Sequence, residues 1–294
     1  MKSRHAFIFS LIFIPLCCAL RILQYTLVID KSGYFRPQGA MHTALIYALY
    51  AAFALAALYA LVLLFAGKRE FAGINIFKSN VCGVLFCAAG ILMMTDAGIG
   101  AGGMIRARTV NPALIAEAAA AIYFVILGYR IMSGSRMTRG HRALGLLVPV
   151  YLIAYAISEF FGSFEKVHVS QTKLSMLSIC SLSLFLITVI LMFAGTAVKA
   201  RRLTAVSMLY AVIAAPCAIA DIYAVAAGEM TASSPAQLII RALTQLIFAA
   251  LALTALKNGD IVTETPADAE DDSPDENFTD IKVDDIIAEN KNEV

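Results

Sequence analysis

The chain is 294 residues long, 60% hydrophobic and only 15% charged, with a mean hydropathy of +0.77; a soluble domain carries about a quarter charged residues. That balance excludes a water-soluble globular protein, so the expected partner is a lipid bilayer and not nucleic acid. The net charge of +2 hides a division: residues 257–294 hold thirteen acidic residues against three Lys (−10), and the rest holds twenty basic against eight acidic (+12).

A membrane-crossing helix needs about twenty mostly apolar residues, and eight such runs follow one another: 6–29, 43–66, 81–102, 113–133, 143–163, 175–199, 203–227 and 237–256. The predicted fold is an all-α integral membrane protein, a polytopic bundle of about eight transmembrane helices occupying 1–257, with a tail at 258–294. The first run, preceded by Lys2 and Arg4, resembles a signal peptide in charge. It lacks small residues ahead of Cys17-Cys18 and an A-x-A site, and is expected to stay as a span. The third is expected to end at Gly98, Gly100, Gly102 and Gly103, a flexible loop that shares only its glycines with a phosphate-binding loop. Asn111 followed by Pro112 is an N-cap with Pro at the first helical position and starts the fourth. Pro15, Pro149 and Pro216 fall inside spans one, five and seven, where each removes a backbone hydrogen bond and is expected to kink its helix.

Six cysteines (Cys17, Cys18, Cys82, Cys87, Cys180, Cys217) all lie in apolar runs, where Cys behaves as a small hydrophobe. Cys82-x4-Cys87 shares a helix face, but no His lies near to complete a zinc set. Neither a metal nor a cofactor is expected.

Orientation follows from basic residues at the span ends. Lys2, Arg4, Lys68, Arg69, Lys78, Arg130, Arg136, Arg139, Arg142, Lys199, Arg201, Arg202 and Lys257 lie on one side, against Lys31, Arg36, Arg106, Arg108, Lys166 and Lys173 on the other. The expected location is the cell membrane, multi-pass, with both termini cytoplasmic.

Besides Arg130 and Lys199 at the cytoplasmic ends of their runs, six charged residues fall within the apolar runs: Arg21, Asp96, Glu117, Glu159, Asp221 and Arg241. Each costs roughly 2.5–3.5 kcal/mol at a bilayer centre on insertion scales, so such residues pair, face a cavity or reach the interface. At 1.5 Å per residue Arg21 and Asp96 lie ~22 Å from the cytoplasmic start of their spans, Glu159 and Asp221 ~24–27 Å, and Glu117 and Arg241 ~6 Å below the outer end. All six thus share the outer third, which predicts one polar cavity open to the outer side and lined by spans one, three, four, five, seven and eight. With each Arg holding one carboxylate, the remainder is acidic and suits a small cationic solute or a proton. The charges recur in the two halves, which suggests a 4+4 repeat with the site between the halves.

Enzyme motifs are missing: there is no H-E-x-x-H, G-x-S-x-G or P-loop, and the Gly-x-Gly-Asp of aspartyl intramembrane proteases is absent. No catalytic activity is expected. The tail to about Asn277 is acidic and poor in apolar residues, hence disordered by composition. Thr279 can cap a short helix at 280–289 in which Val283, Ile286 and Ile287 share a face, and residues 279–294 can engage a cytoplasmic protein. Two functions follow: a small-solute or ion transporter or binding protein, or a signalling or assembly protein that recruits a cytoplasmic partner through its tail.

Overall fold

The computed structural model describes residues 2–28, 40–66, 72, 74–108, 111–135, 138–162, 170–228 and 234–259. They form an all-α bundle of α1 (Lys2–Leu27), α2 (Ala40–Ala66), a 3-10 turn (Ile74–Phe77), α3 (Asn80–Ala107), α4 (Pro112–Met132), α5 (Arg139–Leu144), α6 (Leu147–Gly162), α7 (Ser170–Phe193), α8 (Ala200–Ala226) and α9 (Pro235–Asn258). Among the described residues, eight stretches are long and apolar enough to cross a membrane, the fifth being Gly140–Ser158 across α5 and α6. The acidic tail from residue 260, with the helix expected at 280–289, lies outside the described residues.

Local chemistry sets the helix starts. The Ser79 hydroxyl accepts from the Cys82 N–H at 3.2 Å ahead of α3, and Asn111 Oδ1 accepts from the Ala113 N–H at 3.0 Å ahead of α4, whose first residue is Pro112. Pro235 likewise stands first in α9, there without a side-chain cap from Ser234. The glycine run expected as a loop is helical: α3 continues through Gly98, Gly100, Gly102 and Gly103 to Ala107 and ends on Arg108, in the left-handed region at φ 51°. Its apolar neighbours Ile99, Met104 and Ile105 carry the helix on, and Gly100 packs on Leu114 of α4. Pro149 does not kink a continuous span. The chain breaks at Gly145-Leu146 and Pro149 falls in the first turn of α6, where no backbone N–H is required of it. Pro15 and Pro216 lie inside the uninterrupted α1 and α8.

Small residues determine which helices touch. A Cβ on Gly90 stands 2.6 Å from the Ala121 carbonyl oxygen, one on Gly83 stands 2.9 Å from that of Gly128, and one on Gly128 collides with the Gly83 carbonyl. The α3 and α4 backbones are therefore in direct contact, the close approach that glycine permits between membrane helices. At the centre, α8 is enclosed by α1, α2, α7 and α9 and buries Ala205, Ala211, Ala214, Ala218, Ala220 and Ala224. The pairs α1–α2 and α3–α4 of the first half reappear as α6–α7 and α8–α9, but α8 is enclosed whereas α3 packs mainly on α4 and α9.

Aromatic rings fill the space between α3, α4, α7 and α9: Phe86, Phe124, Phe193 and Phe248 meet at centroid distances of 5.2–6.2 Å, joined by Phe77 from the 3-10 turn. That turn is held by Asn258 Nδ2 donating to the Ile76 carbonyl at 3.2 Å, and the Ala72 N–H donates to the Val198 carbonyl at 2.8 Å. Leu58, Phe65, Ile122, Leu146 and Ile153 point outward and are exposed, giving the bundle the apolar exterior that lipid requires.

Replacing Gly128 by Leu is expected to force α3 from α4 and lower stability by about 1–3 kcal/mol or prevent folding. Replacing Gly98, whose added Cβ meets nothing within 4 Å, by Ala should be neutral or stabilising by about 0.5–1 kcal/mol. Thermal unfolding in detergent separates the two, and equal behaviour of both variants excludes the close crossing.

Candidate functional site

The structure groups the charged residues of the spans into two sets rather than one cavity. The first joins α1 to α8. Arg21, Gln24 and Tyr25 lie three and four residues apart on one face of α1, and all three are buried. Arg21 Nη1 donates to Gln24 Oε1 at 3.0 Å and Nη2 to the Tyr25 hydroxyl at 3.1 Å, with the guanidinium carbon 4.4 Å from the Tyr25 ring centre. Tyr25 in turn donates to Asp221 Oδ1 of α8 at 2.6 Å, and Gln24 Nε2 donates to the Leu45 carbonyl of α2 at 3.1 Å. One cation and one carboxylate are thus linked through a phenol, and their charges balance.

The second set joins α3, α4, α6 and α9. Arg241 Nε donates to Asp96 Oδ2 at 2.7 Å, with the Asp96 side chain 2% and the Arg241 side chain 35% exposed. The Glu117 carboxyl, also buried, lies within hydrogen-bonding range of the Asp96 carboxyl. Asp96 Oδ1 is buried and receives no hydrogen bond. A cleft of about 20 Å³, room for one water, is lined by Glu117, Tyr151, Tyr155, Arg241, Thr244 and Gln245, among others. Tyr151 and Tyr155, one turn apart on α6, stack at 5.6 Å, and the Arg241 guanidinium lies 5.7 Å from the Tyr155 ring centre. Here two carboxyl groups meet one guanidinium, so the charges do not balance.

Comparison with models of protein families, with curated proteins and with solved structures finds no match to this chain. The site therefore rests on its own geometry.

Arg21 and Asp221 belong to the first set and Asp96, Glu117 and Arg241 to the second; no hydrogen bond or ion pair joins the sets among the described residues. Glu159 has its backbone in α6, and its side chain lies outside the described residues. The partners that composition did not single out are neutral: Gln24, Tyr25, Tyr151, Tyr155, Thr244 and Gln245. Their signal was helical spacing, since Gln24 and Tyr25 follow Arg21, and Thr244 and Gln245 follow Arg241, by three and four residues. Among the described residues no group of three or more His, Cys, Asp or Glu is placed to hold a metal, and the six cysteines are free thiols.

The first set has the geometry of a structural clamp, and removing one member should show it. Arg21→Met leaves the partly buried Asp221 without its cation and is expected to cost about 1–3 kcal/mol, whereas Arg21→Met with Asp221→Leu removes both charges and should recover most of that loss. Chemical or thermal unfolding of the variants reads the difference, and a double variant no more stable than the single one rules the clamp out.

Proposed function

We propose that the protein is a multi-pass transporter or binding protein for a small cation, with Asp96, Glu117 and Arg241 as its ligand site. The observation that carries this reading is the surplus carboxyl beside the Asp96–Arg241 pair, in a cleft lined by both Glu117 and the partly exposed Arg241. A buried charge without a counter-charge is costly, so the site favours whatever supplies the missing positive charge. The size of the cleft favours a proton or a small inorganic cation over an organic solute. Tyr151, Tyr155, Thr244 and Gln245 supply further oxygen groups around it. Arg241 neutralises Asp96 and leaves Glu117 as the group that responds to the ligand.

Thermal unfolding of the purified protein against sodium, lithium, potassium and small amines tests this reading. A cation at a hundredfold over its dissociation constant should add about 2.7 kcal/mol of stability, and Glu117→Gln should abolish the gain while the protein stays folded. If no cation, the proton included, acts through Glu117 or Asp96, the reading falls.

The same reading places both termini in the cytoplasm, supported by the Lys and Arg bias of the span ends. In a variant with the native cysteines replaced, a cysteine at Ser135, between α4 and α5, should resist a membrane-impermeant maleimide on intact cells. One at Ala227, after α8, should react. The reverse pattern inverts the topology.

A further inference from the structure

Asp96 uses Oδ2 to bind Arg241 Nε at 2.7 Å, while Oδ1 is fully buried with no N–H or O–H donor directed to it. The group that does lie against Asp96 is another carboxyl, that of Glu117. Two ionised carboxylates are acceptors only, and holding them together in an apolar bundle leaves an orphan acceptor beside a repulsive contact. A single hydrogen on Glu117 removes both defects: its O–H becomes the donor for Oδ1, in the short, charge-assisted class of hydrogen bond.

We propose that Glu117 carries an exchangeable proton donated to Asp96 Oδ1, and that this proton is the cation the site takes up and releases. This rests on the cation-site reading above and names its ligand. The groups facing Glu117 agree with it. From α3 comes the Asp96 carboxylate, from α9 the Arg241 guanidinium with Thr244 and Gln245, from α6 the phenols of Tyr151 and Tyr155, and from α7 the apolar Leu182. Arg241 is the one cation among these described groups and already holds Asp96. With the proton in place Arg241, Asp96 and Glu117 sum to zero charge; without it they sum to −1. Release breaks the Glu117 O–H bond, leaves the electron pair on the carboxylate and passes H⁺ to water in the cleft, whose volume of about 20 Å³ admits one water.

Glu117→Gln separates the proton from the fold, because the amide still donates to Asp96 Oδ1 while holding no exchangeable acid proton. Infrared difference spectra of the full chain in lipid, recorded as pH is raised, are expected to show loss of a protonated-carboxyl C=O band in the wild type. The band should be absent from Glu117→Gln, present but shifted in Glu117→Asp, and unchanged in Asp221→Asn. A band that survives intact in Glu117→Gln, or no titrating carboxyl band at all, overturns the proposal. The thermal-shift series distinguishes the two failures. Stabilisation by sodium or lithium that Glu117→Gln abolishes, with no Glu117 band, removes the proton and leaves a metal-cation site; silence in both experiments removes the site reading as well.

Discussion

A guanidinium placed among apolar helices must meet a carboxylate, and the bundle meets that demand twice in different ways. Arg21 reaches Asp221 through the hydroxyl of Tyr25 and spends a second donor on Gln24. Arg241 meets Asp96 directly, at 2.7 Å. In lipid there is no water to substitute for a lost partner, so each pairing fixes which helices are neighbours. The first ties α1 to α8, with α2 drawn in by Gln24; the second ties α3 to α9. The polar contacts act as registration marks for helices whose apolar surfaces are otherwise interchangeable.

Those marks work only because small residues let the helices come close enough. Between apolar helices in a membrane the driving force is packing and not exclusion from water, and glycine and alanine supply the approach. Gly83, Gly90 and Gly128 bring α3 and α4 into backbone contact, which sets Asp96 of α3 beside Glu117 of α4. The alanine-rich α8 does the same for its four neighbours and presents Asp221 to Tyr25. Packing and site are therefore one arrangement: a bulky residue at Gly90 would separate the two carboxyls as well as the two helices.

The fold class and the number of spans were legible because both follow from hydropathy summed over twenty residues, a signal no tertiary contact can reverse. Boundaries were less so. Gly98 to Gly103 reads as a loop by composition, yet apolar neighbours and the packing of Gly100 on Leu114 keep it helical to Ala107. Pro149 marks a helix start rather than a kink because the break falls four residues earlier, at Gly145. For the charged residues, spacing along the chain gave a common depth but not azimuth. Depth alone merges Arg21 and Asp221 with Asp96, Glu117 and Arg241 into one cavity; packing around α8 divides them. The neutral partners Tyr25 and Gln24 were visible only as a helical spacing from Arg21.

The two sets differ in charge balance and in which partner meets solvent, and that difference bears most directly on function. The α1–α8 set carries equal and opposite charge, with its arginine sealed at 1% exposure and its Asp221 partly exposed. The α3–α4–α9 set carries an extra carboxyl, and its arginine side chain is 35% exposed beside a water-sized cleft. A structural ion pair gains from being neutral, since an excess charge would only weaken it. An exchange site needs the reverse: a group whose charge changes, a path to solvent, and a fixed counter-charge beside it. Glu117, the cleft and the Asp96–Arg241 pair fit those three requirements in that order, whereas Asp221, though itself partly exposed, already accepts from Tyr25 and is balanced by Arg21.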